Sequence, residues 1–424
     1  MCAVHLQALG MPETYVIHYS EVALKGKNRP DFVRALRRNI RRSVRGLGEV
    51  TVGSYEGRFV MTSDADPEEV CRRLSRVFGV AWFARATLVG LAYEEIRDAV
   101  LETAVSGQGR TFRITARRTQ KSFPFGSMEM ERRLGAEVVA QAGRRVDLSN
   151  PEESIHVDIM RGKALVYSDR RRGPGGLPVG TSGRVMHLFS GGIDSPVAAW
   201  LLMKRGCTPI YLHFYLAPTS AYALESKVLR LVKILSTYSG KSTLLLIPFA
   251  DYQLSTSDAP GDLEPSLFRR FMRVTAEALA SQFGASAIST GDCLSQAASQ
   301  TVWNLASFDF GSSLPVLRPL LAYDKEEVIR LAETIGTYRP SIEEYKDCCA
   351  IITRHPRTRV KADIISRYFE RLRLAEVVQD SIANGTLVAY NPDTDELKTT
   401  RIADIGNPHP SQSAPSPAPA QAEL

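Results

Sequence analysis

The residues best suited to hold a phosphate group are residues 190–195, which read SGGIDS. They follow the apolar run VMHLF and precede a stretch of helical character that begins at Pro196. A glycine-bearing turn between a strand and a helix presents backbone N–H groups and the positive helix end to an anion. Asp194 would repel phosphate unless it handles Mg²⁺ or a polar substrate group. The pattern favours a nucleotide site over a tight turn in which Asp194 only caps the helix.

A second candidate for chemistry is the adjacent pair Cys348 and Cys349 in YKDCCAII. A buried cysteine is usually an inert packing residue. This pair, however, has Lys346, Arg354 and His355 close by in sequence, and basic neighbours lower the pKa of a thiol. The pair therefore indicates thiolate chemistry, including persulfide formation. Because adjacent cysteines do not form a strainless disulfide, a third cysteine would have to resolve the persulfide.

Three arginines on one predicted helix and one lysine at the start of another could support a nucleotide site. Arg269, Arg270 and Arg273 occur on SLFRRFMRVTAEALA, a helical stretch whose apolar face would pack on a sheet. They either reach a phosphate or only solubilise the helix, and the sequence favours neither. Lys325 begins another helix, where the helix dipole disfavours a cation, and this position indicates a ligand contact.

The elements that must position these residues alternate between strands and helices over residues 184–395. Apolar strands such as VMHLF, PIYLHF, TLLLIPF and ASAIST are typical of a parallel sheet covered by helices. In such sheets ligands bind beyond the carboxyl ends of the strands. The SGGIDS loop, His213 with Phe214, and the stretch from Thr290 to Asp292 all fall there. They are predicted to converge on one crevice.

The chain before this region is basic and built from shorter elements. A strand is predicted at residues 15–19 and a helix at 31–45, with Phe32, Leu36, Ile40 and Val44 facing a core. The opposite face carries Arg34, Arg37, Arg38, Arg41, Arg42 and Arg45. That face is either simply solvated or contacts a phosphate backbone. Short helices and strands follow over residues 66–170, then a Gly-rich segment, 171–183, that indicates a boundary or a mobile crossover.

Composition limits the class of protein. A length of 424 residues predicts about three domains, and 53 Lys and Arg against 46 Asp and Glu favour a polyanionic partner. No run of about 18 apolar residues occurs, which predicts a soluble cytoplasmic protein without a membrane segment. Six scattered cysteines without a CxxC pair argue against a disulfide framework and a structural metal. The Pro-, Ala- and Ser-rich end, residues 396–424, is predicted to be a disordered tail.

Taken together, these segments resemble the bacterial tRNA 4-thiouridine synthases, also called tRNA sulfurtransferases. The resemblance rests on YSEVALKGKNRPDFVRALRRNI, GPGGLPVGTSGRVMHLFSGGIDSPVAAW, TGDCLSQAASQT, LRPLLAYDKEEVIRLAETIGTY and YKDCCAII, and it spans about residues 14–395. It implies a multidomain α/β and α+β protein. An N-terminal ferredoxin-like domain (1–65) and a THUMP RNA-binding domain (66–170) would precede a parallel-sheet PP-loop ATP-pyrophosphatase domain (184–395).

The resemblance also implies a reaction. Family members use ATP, with Mg²⁺, to adenylylate the C4 oxygen of a tRNA uridine, and persulfide sulfur from a cysteine desulfurase then displaces AMP. The implied ATP contacts are Leu188, Phe189, Ser190, Gly191, Gly192, Ser195, His213, Phe214, Arg269, Gly291 and Gln300. Asp194 matches the PP-loop aspartate, Lys325 the functional lysine, and Cys349 rather than Cys348 the sulfur carrier. The sequence leaves open whether the chain forms a homodimer.

Two questions stay open at this point. Some family members carry a rhodanese domain with a second cysteine that serves thiamin synthesis; here the predicted tail takes its place, so we expect Cys293 or Cys207 to resolve the persulfide. A PP-loop synthetase acting on a small metabolite is the alternative function, and the basic first 45 residues count against it. A non-catalytic RNA-binding protein is disfavoured by the intact SGGIDS loop with Asp194 and Lys325.

Overall fold

The computed structural model of the chain describes residues 12–216, 219–345, 348 and 357–406. The chain divides into two compact units, Met1–Thr181 and Ser182–Leu424. The division falls within the Gly-rich segment 171–183, as the sequence predicts for a domain boundary. Within the described ranges, no helix is both long and apolar enough to cross a membrane.

The N-terminal unit is built on one mixed sheet. Over residues 12–181 its strands pair in the order β2-β3-β1-β4-β8-β7-β5-β6, and β9 pairs with β4. The strands are β1 Glu13–His18, β2 Val50–Tyr55, β3 Arg58–Ser63, β4 Trp82–Val89, β5 Thr111–Arg118, β6 Arg145–Val146, β7 Glu153–Met160, β8 Lys163–Tyr167 and β9 Arg171–Arg172. The helices are α1 Arg29–Ser43, α2 Pro67–Leu74, α3 Tyr93–Ser106 and α4 Ser127–Ala142.

The first core of this unit lies between β1–β4 and the helices α1 and α2. Leu36, Ile40 and Val44 are buried in it, which confirms the predicted four-residue repeat of the basic helix. Helix α2 buries Val70 and Leu74 in the same core. The predicted boundary between residues 65 and 66 is therefore wrong, because α2 and the start of β4 complete the first domain rather than begin the second.

The second core is formed by α3 and α4 packed on β5, β7 and β8. Phe112, Ile114 and Ala116 alternate inward along β5, as their period of two predicts. Strand β4 serves both cores, since its first part pairs with β1 and its last residues, Thr87 to Val89, pair with β8. One long strand thus joins the two predicted domains into a single sheet.

The Gly-rich segment is fixed to the first core as far as Val179, and the boundary between the two units falls after it, at residue 181. Gly79 N–H donates to the Gly175 carbonyl and Gly175 N–H donates to the Val80 carbonyl, both at 2.8 Å. Gly175 adopts a φ of +66°, a left-handed conformation that glycine adopts without strain. Leu177 and Val179 follow it and are buried.

The C-terminal unit is a sheet covered by helices. Over its described residues the strand order is β14-β13-β10-β11-β12-β15-β16. The strands are β10 Arg184–Leu188, β11 Thr208–Tyr215, β12 Ser242–Pro248, β13 Ala285–Ser289, β14 Val316–Leu317, β15 Thr386–Asn391 and β16 Glu396–Arg401. The helices are α5 Asp194–Lys204, α6 Ser220–Glu225, α7 Lys227–Ser239, α8 Ala250–Ser255, α9 Glu264–Phe283, α10 Val302–Asp309, α11 Lys325–Ile335, α12 Tyr338–Ser341, α13 Ala362–Arg371 and α14 Leu374–Ala383.

The strands β10–β14 pair in parallel, as predicted, while β15 and β16 add an antiparallel edge. Strand β16 contradicts a disordered tail from residue 396, because Glu396–Arg401 pairs along its whole length with β15. Most of its side chains are exposed, so the strand lacks the apolar alternation that sequence analysis requires. Residues 407–424 lie outside the described residues.

Candidate active site

The SGGIDS loop joins the end of β10 to the start of α5 at the carboxyl edge of the parallel sheet. The Ser195 hydroxyl donates to the Ser190 carbonyl at 2.8 Å and accepts from Ser190 N–H at 3.0 Å. Gly192 N–H donates to the Ser190 hydroxyl at 3.3 Å. The two serines thus hold the loop in shape, which leaves the N–H groups of the first helical turn as the anion donors.

Two glycines of the site stand where a side chain would collide. A β carbon on Gly291, just after β13, would lie 2.9 Å from the Ser195 nitrogen. A β carbon on Gly191 would lie 2.8 Å from Cε of Lys227. Close approach of backbone to backbone explains why the site uses glycine at Gly291.

A cavity of about 280 Å³ opens at this edge of the sheet. The predicted nucleotide contacts that line it are Leu188, Phe189, Ser190, Asp194, Ser195, His213, Phe214, Arg269, Gly291 and Gln300. Gly191 and Gly192 belong to the loop itself. The predicted convergence of the three strand ends on one crevice is confirmed. The SGGIDS loop and Gly291 follow the ends of β10 and β13, and His213 and Phe214 lie near the carboxyl end of β11, where sequence analysis expects a ligand. Arg269 on α9 and Gln300 do not follow a strand.

Buried histidines fix the walls of the cavity. Nδ1 of His213 lies 2.8 Å from the Phe189 carbonyl oxygen, which can only accept, so this nitrogen carries the proton. Its Nε2 then accepts a hydrogen bond from the Tyr345 hydroxyl at 2.9 Å. Sequence reasoning missed Tyr345, whose position three residues before Cys348 is the only signal that pointed to it.

His187 was also missed, because it reads as one more residue of a buried strand. Its Nε2 donates to the Ser195 carbonyl and its Nδ1 accepts from the Ser289 hydroxyl, each at 2.9 Å. Burial lowers the pKa of His187 to about 4, although the bond to Ser195 opposes that change. The neutral imidazole therefore ties the start of α5 to β13.

Arg269 lines the cavity wall, and its guanidinium forms an ion pair with a neighbouring carboxylate. Its guanidinium donates two hydrogen bonds to the Asp292 carboxylate, at 2.9 and 2.8 Å. Arg318, which sequence reasoning also missed, lies 3.3 Å from the same carboxylate and forms a fork with Asp309. Burial raises the pKa of Asp292, but the charges and hydrogen bonds of Arg269, Thr290 and Arg318 outweigh it and hold the value at about 2.

The other two arginines of α9 have structural partners. Arg273 is buried and pairs with Glu277 at 2.6 Å. The guanidinium of Arg270 lies 5.4 Å from the centre of the Phe369 ring. Neither residue lines the cavity.

Lys325 meets the loop through Asp194. Its Nζ lies 2.7 Å from Oδ1 of Asp194, and both residues stand at the first position of their helices. The start of α11 is fixed by a capping box, in which Asp324 accepts from Glu327 N–H and Glu327 accepts from Asp324 N–H. The helix dipole disfavours the charge of Lys325 at this position, and the Asp194 carboxylate of the nucleotide loop compensates for that cost.

Cys348 lines the same cavity. Its thiol is buried and donates to the Phe214 carbonyl oxygen at 3.1 Å. Cys349, Lys346, Arg354 and His355 lie outside the described residues, so the preference for Cys349 as sulfur carrier stays a prediction.

The two cysteines expected to resolve a persulfide differ in position. Cys207 precedes β11, whereas Phe214 stands near the far end of that strand, about 23 Å away at about 3.3 Å per residue. Cys207 is therefore too far from Cys348 to act directly. Cys293 directly follows Asp292, which lines the cavity, and burial together with the charge of Asp194 raises the pKa of its thiol to about 11.

A PP-loop ATP-pyrophosphatase domain, preceded by a ferredoxin-like and a THUMP domain, is the class that this fold and loop define. Residues 180–374 match the family described as thiamine biosynthesis protein (ThiI), residues 14–84 its ferredoxin-like domain and residues 93–169 the THUMP domain. These matches place the first domain boundary after residue 84, in agreement with the packing of α2. The chain belongs to the tRNA sulfurtransferase family.

The relatives cover most of the chain. It is 40% identical to the probable tRNA sulfurtransferase of Caldanaerobacter subterraneus over 365 residues, 85% of this chain and 96% of that protein. It is 40% identical to the probable tRNA sulfurtransferase of Thermus thermophilus over 377 residues, 88% of this chain and 92% of that protein. A crystal structure of a 4-thiouridine synthetase–RNA complex with bound ATP superposes with a TM-score of 0.82 at 33% identity, covering 89% of this chain and all of the other.

Proposed function

We propose that the protein is an ATP-dependent tRNA sulfurtransferase that converts a tRNA uridine to 4-thiouridine. The observation that carries the proposal is that one cavity is lined by both the SGGIDS loop and the Cys348 thiol. A nucleotide loop alone fits many ATP-dependent enzymes. Beside a thiol, it fits a reaction that first activates a carbonyl oxygen and then replaces it with sulfur.

In the first step the C4 oxygen of uracil attacks the α-phosphorus of ATP while the uracil N3 proton is lost. The bond to the β-phosphate oxygen breaks, and pyrophosphate leaves on the loop ahead of α5. The N–H groups at the helix N-terminus stabilise its negative charge, with the Lys325 ammonium 2.7 Å from Asp194 beside them. The uracil oxygen is now a good leaving group.

In the second step the terminal sulfur of a cysteine persulfide attacks C4. AMP departs with the former C4 oxygen, and the base is left joined to the enzyme through a disulfide. A second thiolate attacks the cysteine sulfur of that bond, which releases 4-thiouridine and leaves an enzyme disulfide that an external thiol must reduce. A cysteine desulfurase supplies the persulfide, and Cys293 is the candidate for the second thiol because it directly follows Asp292, a residue of the cavity wall.

The carrier belongs to the Cys348–Cys349 pair. The Cys348 thiol lines the cavity, which supports Cys348 as the sulfur carrier. The family resemblance instead favours Cys349. Serine variants of each cysteine separate the two assignments.

Mg²⁺ would enter with the phosphates of ATP. Among the described residues no group of three or more His, Cys, Asp or Glu side chains could hold a metal ion by itself. Asp194 is the carboxylate of the nucleotide loop and lines the cavity, and it would contact a phosphate-bound cation. Bound Mg²⁺ would supply charge neutralisation for the leaving pyrophosphate.

The tRNA would be bound by the basic N-terminal unit. Arg38 and Arg41 on α1, and Arg45 just after its end, are exposed. Arg37 donates to the Val52 carbonyl, and Arg34 pairs with Asp31. Exposed arginines on one helix face suit phosphate contacts, whose strength falls as salt rises.

The test is thiolation of unmodified tRNA with ATP and a persulfide source. Asp194→Ala should abolish adenylylation, and Cys348→Ser and Cys349→Ser should distinguish the sulfur carrier from its neighbour. Cys71→Ser is the matched control, since Cys71 is buried in the core of the N-terminal unit. Full activity in both cysteine variants without added reductant would refute the mechanism. ATP turnover with small metabolites but no tRNA affinity would instead favour the small-molecule synthetase.

A further inference from the structure

A buried lysine stands beside the nucleotide loop with no role in the reaction described so far. Lys227 is the first residue of α7, and only 8% of its surface is exposed. Its Nζ donates to the carbonyl oxygens of Ser341 and Glu343, each at 2.7 Å. Burial and the helix N-terminus both disfavour a cation, so these two charge-assisted hydrogen bonds must offset a substantial cost.

The stem of this lysine packs on the nucleotide loop. A β carbon on Gly191 would lie 2.8 Å from Cε of Lys227 and 3.4 Å from Cδ1 of Tyr345. The Lys227 ammonium also lies 5.9 Å from the centre of the Tyr345 ring. Gly191 therefore contacts the lysine and the tyrosine that follows the two bonded carbonyls.

The segment that Lys227 holds leads directly to the cysteine pair. After Glu343 comes Tyr345, whose hydroxyl donates to His213 at 2.9 Å in the cavity wall. Cys348 follows three residues later, with its thiol on the Phe214 carbonyl at 3.1 Å. One ammonium group thus joins the nucleotide loop to the stretch of chain that ends in the cysteines.

We propose that Lys227 is a positioning residue that holds residues 341–345, the stretch that precedes Cys348, against the SGGIDS loop. It does so by binding two carbonyls of that segment while its stem packs on Gly191. Sulfur transfer requires the thiol and the adenylylated base in one cavity, and this contact provides that arrangement. Of the measurements that test this inference, only the tRNA thiolation assay rests on the proposed function.

Lys227→Met tests it, because methionine keeps a similar unbranched stem and removes the ammonium. Loss of two charge-assisted bonds should loosen the segment by a factor of about 10 to 100. We expect single-turnover tRNA thiolation to fall, and alkylation of Cys348 by iodoacetamide to accelerate, by about that factor. ATP affinity measured by equilibrium dialysis should stay within about threefold. Fragmentation of the tryptic peptide that holds both cysteines assigns the alkylated residue.

The matched control is Lys233→Met on the same helix. Lys233 pairs with Asp395 at 2.7 Å on the surface, so its loss should leave thiolation and alkylation unchanged. Thermal unfolding is recorded for every variant. If Lys227→Met does not fold, Lys227→Gln replaces it, since its amide still donates to one carbonyl.

Two results would overturn the proposal. One is an alkylation rate of Cys348 in Lys227→Met equal to that of the wild type. The other is a loss of ATP affinity as large as the loss of thiolation, which would make Lys227 a structural part of the nucleotide site. If the wild type does not thiolate tRNA, the proposed function fails, yet the ATP-binding and alkylation comparison still decides the role of Lys227.

Discussion

Asp292→Asn offers the sharpest test of how the cavity wall is held together. The Asp292 carboxylate is buried and receives hydrogen bonds from Arg269, Thr290 and Arg318. An asparagine amide has the same shape but no charge. Removing the anion leaves two largely buried guanidinium groups without their shared counter-charge, a change that typically costs about 3 to 5 kcal/mol.

The lowered pKa of Asp292 gives a second, independent value for the free energy that the charged carboxylate contributes to folding. A fall from 3.8 to about 2 corresponds to about 2.4 kcal/mol, at about 1.36 kcal/mol for each pKa unit. Because the pKa is lower in the folded state, this stability is fully present above about pH 4. It is lost as the pH falls toward about 2.

The assay is guanidinium unfolding of both proteins at pH 7 and at steps down to about pH 2.5. We expect Asp292→Asn to lose about 2 to 4 kcal/mol at pH 7 and to show a smaller decline in stability than the wild type between about pH 4 and 2.5. Other carboxylates with a lowered pKa, such as Glu69, account for the decline that remains. ATP affinity should fall as well, since Arg269 and Gln300 line the cavity.

Asp309→Asn is the control for Asp292→Asn. Asp309 pairs with Arg318, but its side chain is 42% exposed, so its loss should cost less than about 1 kcal/mol. Equal destabilisation by the two substitutions, or a parallel acid decline in Asp292→Asn and the wild type, would refute the reasoning.

Three further predictions concern the loop, the ion pair and the basic helix. Gly291→Ala should weaken ATP binding at least about tenfold in equilibrium dialysis, because its β carbon would lie 2.9 Å from the Ser195 nitrogen. Gly135→Ala is the control and should leave ATP binding unchanged, since its new β carbon would have no heavy atom within 4 Å. Lys325→Met should slow pyrophosphate release with tRNA by about 100-fold while ATP affinity changes little, if the ion pair with Asp194 serves the leaving group. Arg41→Ala should weaken tRNA binding and reduce its salt slope by about 1, measured by filter binding; an unchanged slope would remove α1 from the interface.

Local patterns were enough for much of the fold. The four-residue repeat of α1 and the alternation along β5 each record one buried face. The continuous apolar runs of β10–β13 record strands that are largely buried on both faces. The domain to which helix α2 belongs and the presence of strand β16 were misjudged for the opposite reason. The burial of Val70 depends on neighbours that the local sequence does not name, and β16 is held mainly by backbone pairing.

The sequence by itself determined the nucleotide loop, the lysine of α11 and the strand ends that line the cavity, because a loop between a strand and a helix carries its chemistry in consecutive residues. Only the tertiary structure decided which charges meet. Arg269 could not be paired with Asp292, Lys325 with Asp194, or Lys227 with the Ser341 and Glu343 carbonyls from sequence alone. These partners lie on different elements, and chain folding, rather than residue spacing, sets the distance between them.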